Sequence, residues 1–259
     1  MKFNPYSISK IGCFNQCPFQ FKLKYIDKIR VPFKASKALY KGNHLHEMLE
    51  HNFDYDTSFD TNEVYTEKDK EQTKEILKIF KDSEMGMKYK KLIKIGTSEE
   101  QFGIKIIDSK LQICDYWDKE CWYRGAMDLI FKAPSVVYNI DWKSGKDKSN
   151  DEDFGIEQSL AYSIYLMLKY PDIDTFLSVF VFVEHGTEKK ITYTRDKLNE
   201  YIRFMFNRTK QVESAEHYPA IINGLCNFCD YYKHGHCDEP NILKNKMQDT
   251  QNTKISLDF

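Results

Sequence analysis

The sequence predicts one compact α/β domain with helical additions, and three observations carry that reading. Thr175 to Glu184 (TFLSVFVFVE) is a strongly β-prone, nearly continuous apolar run, the pattern of a central strand buried on both faces. Ala126 to Phe131 and Val136 to Lys143 are apolar, β-branched runs interrupted by Lys132-Ala133-Pro134-Ser135, which predicts two strands joined by a short turn. Around them, residues 35–53, 154–170 and 196–216 carry apolar positions at helical period. No internal repeat or long low-complexity linker interrupts the chain.

Composition bounds the reading. A length of 259 residues with 41% hydrophobic and 15% aromatic content supports a substantial core. Lysine plus arginine (38) nearly balance aspartate plus glutamate (39), a net charge of −1, so any DNA-binding face has to be local. No run of about 18 apolar residues is present to span a bilayer, and MKFNPYSISK lacks the apolar segment of a signal peptide. A cytoplasmic protein is therefore expected. In that compartment the seven cysteines should be reduced, which makes clustered ones candidates for metal rather than disulfide.

In chain order, Ser7-x-Ser9 offers a helix cap to Ile8, Ile11 and Phe14; the helix breaks near Pro18 and resumes through Phe19, Phe21, Leu23, Tyr25 and Ile26. From Lys22 to Lys41, seven basic residues (Lys22, Lys24, Lys28, Arg30, Lys34, Lys37, Lys41) face one acid, Asp27. That stripe reads equally as a solvated face and as a phosphate contact. Residues 35–53 form the next helix, where Gly42, His46 and Glu50 are four apart and share one face; His44 and His51 fall on others. A polar stretch follows, with a loop from Tyr55 to Tyr65 and an exposed amphipathic helix from Glu67 to Phe80, and Ile93 to Leu111 reads as strands. After a charged loop, Gly145 to Asp153, the helix 154–170 places Gln158 and Tyr162 at i and i+4, with polar tips that could reach the strand pair. Lys189 to Thr194 can pair with the Thr175 strand across the His185-Gly186 turn, and Leu198, Tyr201, Ile202, Met205 and Phe206 mark the inner side of the last long helix.

Two features carry chemistry. Side chains alternate along a strand, so Asp141 and Lys143 project from one face while Trp142 points the other way, and Asp128 could meet them on the neighbouring strand. A carboxylate pair beside an ammonium is costly to bury unless it holds a divalent cation, and hard oxygen ligands suit Mg²⁺ or Mn²⁺. This predicts a metal-assisted hydrolysis site. Near the C-terminus, GLCNFCDYYKHGHC (residues 224–237) groups Cys226, Cys229 and Cys237, and Cys-x-x-Cys is a common chelating turn. Three thiolates need a fourth ligand. Cys114 and Cys121 have no partner at a convincing spacing and read as ordinary buried thiols.

Asp128 followed by Asp141-Trp142-Lys143, framed by Gly125-x-x-Asp128 and Asp141-x-Lys143-Ser144-Gly145, resembles the signature of the PD-(D/E)XK nuclease superfamily and of its RecB-like branch. Gly42-x-x-x-His46-x-x-Leu49-Glu50 resembles the helix that supplies that branch's metal-binding histidine, and Gln158-x-x-x-Tyr162 resembles its distinguishing helical motif. Glu99-Glu100-x-Phe102 is similar to the acidic strand entry of related nucleases and leaves open whether Glu99 or Glu100 contributes. Cys17 before Pro18, with Cys226, Cys229 and Cys237, resembles the iron-sulfur set of the AddB-type and CRISPR-adaptation-associated members, which implies a 4Fe-4S cluster. The gap from Cys229 to Cys237, holding His234 and His236, is slightly long for that set and leaves Zn²⁺ open, and Cys13 is a substitute ligand.

The resemblance implies a restriction-endonuclease-like mixed central sheet flanked by helices, with N- and C-terminal helical segments joined by a metal cluster. It implies a single RecB-like nuclease domain over residues 1–259: a helical N-terminal segment over residues 1–53, a nuclease core over 93–216, a cysteine segment over 217–238 and a mobile tail over 239–259. The implied activity is that of a Mg²⁺- or Mn²⁺-dependent deoxyribonuclease, an exonuclease acting on DNA ends in recombination, repair or replication. The implied partner is a helicase, a recombinase or another replication or repair protein. His46, Asp128, Asp141 and the Trp142 carbonyl would bind the metal, Lys143 would orient water or stabilise the transition state, and Gln158 and Tyr162 would hold the DNA strand. The same fold would also serve a catalytically silent DNA-end-binding or scaffold subunit. Ile255 to Phe259 faintly resembles terminal peptides that dock on sliding clamps.

Overall fold

The apolar runs form the centre of a six-stranded sheet, and the periodic segments form helices on both of its faces. In the computed structural model, residues 3–55 and 59–238 are described. Along them lie α1 (Ile8–Gln16), α2 (Pro18–Phe21), a π-helical turn (Lys22–Ile26), α3 (Lys37–Glu50), α4 (Glu67–Asp82), α5 (Glu84–Ile95), β1 (Thr97–Ile107), β2 (Lys110–Cys114), β3 (Cys121–Lys132), β4 (Val136–Lys143), α6 (Ile156–Lys169), β5 (Thr175–Phe182), β6 (Thr187–Thr194), α7 (Leu198–Glu213) and α8 (Asp230–Lys233). They fall into two compact units, one of Met1–Ile8 and Ala35–Thr209, the other of Ser9–Lys34 and Lys210–Phe259.

In the first unit the strand order is β2-β1-β3-β4-β5-β6. Only β4 and β5 pair in parallel; the other neighbours are antiparallel. Parallel neighbours need a crossover, and α6 supplies it. The β3–β4 ladder runs from Lys132↔Val137 to Leu129↔Ile140 and stops there. Past that point β3 continues against β1, and β4 continues against β5 through Lys143↔Phe182. The sheet forks where Asp128 and Asp141 would form the next pair.

One face of the sheet buries Leu129, Ile140, Trp142 and Val181 against Leu45 and Met48 of α3, Leu77 and Phe80 of α4, and Tyr89 and Ile93 of α5. The other face packs α6, whose residues from Ser159 to Met167 are all buried. Burial on both sides is why the Thr175 run needs no polar alternation.

Two expectations are corrected here. The helix that opens at Glu67 is not an exposed one: Thr66 and Asp69 close a capping box at its start, and Leu77 and Phe80 are in the core. The strand expected from Ile93 begins only at Thr97, because α5 claims the residues before it. Ser83 caps α5 by accepting from Gly86 N at 3.0 Å, and Tyr89 and Ile93, four apart, bury on one side, with the Tyr89 ring edge-on to Trp142 at 5.3 Å. Interspersed lysines hide that period from a reading by polarity.

In the second unit Pro18 starts a new helix after the extended Cys17, as a proline at the first helical position does. The Phe21 ring meets Phe14 at 5.4 Å and stacks on Tyr218 at 6.4 Å, while Phe19 N donates to the Pro219 carbonyl and Tyr231 Oη to the Ile29 carbonyl, both at 3.2 Å. Within this unit, aromatic and backbone contacts join the N- and C-terminal segments. The expected tail 239–259, with its Ile255–Phe259 peptide, lies outside the described residues.

Candidate active site

The fork leaves backbone groups of β4 without a strand partner, and side chains take them. Asp128 Oδ2 accepts from Trp142 N at 2.7 Å, and the Trp142 carbonyl lies 2.9 Å from His46 Nε2. His46 Nδ1 is 3.5 Å from Asp128 Oδ1. One imidazole thus spans a strand carbonyl and a carboxylate that the sequence places 14 residues apart on different strands. Helix α3 delivers it: Ser36 caps the helix by accepting from Leu39 N, and Gly42, one turn before His46, leaves room for Ser144 Oγ, which would sit 3.1 Å from a β-carbon there.

On the other side of β4, Asp141 is 4% exposed and Lys143 Nζ lies 2.6 Å from its Oδ2, while Trp142 packs into the opposite core, as the two-residue period requires. Gln158 completes this pair. Its Nε2 donates to Asp141 Oδ1 and to the Tyr162 hydroxyl, each at 2.7 Å, and its Oε1 accepts from Lys143 Nζ at 3.2 Å. Tyr162 is buried beneath Gln158, and burial raises its phenol pKa. The start of α6 depends on Gly155, which has φ +80° and would bring a β-carbon within 2.3 Å of the Phe180 ring; that ring lies under Lys143 Nζ at 5.4 Å.

Glu99 is the residue the sequence left undecided. Its carboxylate, His46 and Asp128 offer ligand atoms that all lie within 4.8 Å of one another. Glu100 is engaged elsewhere, accepting from Tyr165 Oη at 2.6 Å and from Lys169 Nζ at 2.5 Å. Strand alternation from the buried Phe102 is the signal that separates them, since it puts Glu100 on the Phe102 side and Glu99 opposite. Glu99 also has a positive φ, +51°, so the strand turns where it enters the site.

The electrostatics favour a cation. Burial first, and then the Asp128 charge, raise the Asp141 pKa against the opposing pull of Lys143 and His46. Burial, Asp128 and Glu50 raise that of Glu99. For His46, burial works against the charge, but hydrogen bonding and charge from Asp128, with Asp141 and the Trp142 carbonyl, outweigh it and raise its pKa. His46, Glu99 and Asp128 line a cleft of about 520 Å³ together with Glu47, Glu50 and Ser144. So acidic a cleft repels phosphate until a cation neutralises it.

The other expected ligands lie in the second unit. Cys17, Cys226, Cys229 and Cys237 line one pocket together, with Phe19 and Tyr231 among its walls; His234 and His236 are not among its lining residues. Burial pushes the Cys13 thiol up to about 11, which disfavours the thiolate a metal needs. Cys121 Sγ donates to the Tyr123 carbonyl at 3.2 Å, and burial raises the pKa of both the Cys114 and the Cys121 thiol. The basic stripe is divided between the units, and several of its members are paired: Lys22 with Asp27, Lys37 with Asp69 and Lys41 with Glu184.

Residues 5–233 match the family model described as the PD-(D/E)XK nuclease superfamily. Among solved structures, a "putative exonuclease" from Eubacterium rectale superposes with a TM-score of 0.53 at 16% identity, covering 90% of this chain and 88% of that one, a likeness of fold. The structure of SSO0001 gives a TM-score of 0.40 at 14% identity over 89% of this chain and 85% of that one. No curated protein matches the chain. Among the described residues no helix is long and apolar enough to cross a membrane.

Proposed function

The chain belongs to the PD-(D/E)XK nuclease superfamily, and from that premise we propose that it is a Mg²⁺- or Mn²⁺-dependent deoxyribonuclease of the RecB-like iron-sulfur kind that trims DNA from its ends in recombination, repair or replication. The observation that carries this reading is the convergence of His46, Glu99 and Asp128 with the Asp141–Lys143–Gln158 network at the sheet's fork. The donor set fits a hard divalent cation: carboxylates, an imidazole and the Trp142 carbonyl. His46, Asp128, Asp141 and the Trp142 carbonyl would hold it, with Glu99 as a further ligand. When bound, such an ion supplies a Lewis acid that lowers the pKa of water and offsets phosphate charge.

The chain's own groups do the rest. Lys143, held between Asp141 and Gln158, orients the attacking water or stabilises negative charge on the phosphate in the transition state. Gln158 fixes both the carboxylate and the ammonium, and Tyr162 fixes Gln158, so the pair would position the reacting groups as well as hold the DNA strand. Cys17, Cys226, Cys229 and Cys237 line the second unit's pocket and no histidine does, which supports a 4Fe-4S cluster on these four thiols over a zinc with a histidine ligand; it would staple the N- and C-terminal segments of that unit.

Degradation of 5′- and 3′-labelled single- and double-stranded DNA by anaerobically purified protein with Mn²⁺, beside Lys143→Ala, tests the reading. Shortening by the parent and its loss in the variant are expected, and the labels give polarity. A parent that binds these DNAs and cuts none of them overturns it in favour of a silent DNA-end-binding subunit.

A further inference from the structure

We propose that Tyr116, Trp117 and Arg124 form a stacking platform for an unpaired base of the nucleic acid strand held at the fork. This deepens the nuclease reading, on which it rests, by assigning a single-stranded segment to the substrate. Three observations carry it.

First, Trp117 is 72% exposed, whereas Trp122 and Trp142, the other tryptophans, are 2% and 3% exposed. A surface indole is costly to leave in water and is a strong binding element. Second, it is held rigidly on the loop between β2 and β3. Trp117 N donates to Asp115 Oδ1 and Glu120 N to Asp118 Oδ1, each at 2.8 Å, and Lys105 Nζ reaches Asp118 Oδ2 at 3.1 Å. The Tyr116 ring meets it edge-on at 4.9 Å, and the Arg124 guanidinium lies 4.6 Å from the Tyr116 ring and 5.0 Å from the Trp117 ring. An aromatic fixed in advance loses little entropy when a base stacks on it, and a guanidinium beside it favours an anionic strand.

Third, topology puts the platform on the open side of the fork. Because β3 and β4 are antiparallel and their ladder ends at Leu129↔Ile140, β3 residues before Asp128 run out in the direction in which β4 delivers Asp141 and Lys143. Arg124 lies four residues before Asp128, roughly 13 Å at strand rise. A flexible single strand crossing the fork reaches that distance within a few nucleotides. Every base has a π-face, so the platform is indifferent to sequence.

The test uses the full chain. Affinity is read in the Lys143→Ala background with Mn²⁺ as the anisotropy of a dye-labelled oligothymidylate and of a labelled duplex of the same length, and stacking is read beside it as quenching of tryptophan fluorescence by the unlabelled strands. Chemistry is read separately with intact Lys143, as Mn²⁺-dependent hydrolysis of bis(p-nitrophenyl) phosphate, which is too small to span from the fork to the platform. The single strand is expected to quench and the duplex to quench far less. Trp117→Ala should abolish quenching and weaken oligothymidylate binding roughly 5- to 150-fold, the range for one stacked base. Trp117→Phe should restore binding to near the parent level, and neither variant should change small-diester hydrolysis. Unaltered oligothymidylate affinity in Trp117→Ala overturns the platform even if the diester is hydrolysed, as does equal quenching by the duplex. Oligothymidylate affinity weakened in Trp117→Ala together with no hydrolysis by the parent leaves the platform standing and removes the nuclease reading instead.

Discussion

Gln158→Leu keeps the side chain's approximate size and removes all of its polar contacts. In the parent, Gln158 Nε2 donates to Asp141 Oδ1 at 2.7 Å while Oε1 accepts from Lys143 at 3.2 Å. The first bond favours the ionised carboxylate, the form that can ligate a metal. A hydrogen bond to a charged group contributes about 1.5–3 kcal/mol, so its loss raises the Asp141 pKa by about 1–2 units beyond the elevation that burial and Asp128 already impose. The sign follows directly: the protonated, inactive form persists to higher pH, and the acidic limb of the activity profile moves upward. At a pH on that limb kcat/KM should fall about 10- to 100-fold, with partial recovery as pH rises. The assay is Mn²⁺-dependent hydrolysis of end-labelled DNA across pH, with urea unfolding of the same samples to separate instability from lost activity. An acidic limb that stays where the parent's lies refutes the assignment of Gln158 to Asp141, whatever happens to the rate.

Glu99→Gln removes one negative charge at nearly constant shape. Because burial, with the charges of Asp128 and Glu50, already raises the Glu99 pKa, the metal-free protein should melt at a higher temperature, while the gain in Tm on adding Mn²⁺ shrinks and affinity by calorimetry drops at least ~10-fold. Falls in both, or in neither, would remove Glu99 from the metal site. Gly155→Ala forces a β-carbon into a left-handed position at 2.3 Å from the Phe180 ring. Backbone strain and displacement of the buried ring together should cost about 2–4 kcal/mol in urea unfolding, and the shifted start of α6 should also lower nuclease activity through Gln158.

How much of this was legible in sequence depends on whether a position obeys a local rule. The strands 126–131, 136–143 and 175–184 showed themselves because runs buried on both faces lose polar alternation; β4 and β5 overlap the last two closely, while β3 contains the first but begins five residues earlier, at Cys121. Asp141, Trp142 and Lys143 sort to opposite faces by period alone. Helix α5 was not legible by polarity, because its buried positions Gly86, Tyr89 and Ile93 are separated by lysines whose long stems tolerate partial burial. Glu99 was only half legible: alternation from Phe102 separates it from Glu100, but the positive φ that turns the strand has no marker, since glutamate is not a residue that adopts it readily. Gln158 showed its spacing to Tyr162 but not its partners. Those lie 17 and 15 residues upstream on a strand, and only the packing of α6 on the sheet connects them.

The fork explains why catalytic and structural roles coincide here. A strand leaving its neighbour exposes an amide hydrogen and a carbonyl that, inside a protein, must find partners. At Trp142 the hydrogen goes to Asp128 and the carbonyl to His46, so two candidate metal ligands also close the gap in the sheet. On the nuclease reading the fork would have to admit substrate phosphate to the carboxylates while the sheet still holds. Side-chain hydrogen bonds meet both demands, because they replace the ladder only at its last rung. A divalent cation held by the Trp142 carbonyl and Asp128 would take over contacts that His46 makes in the structure.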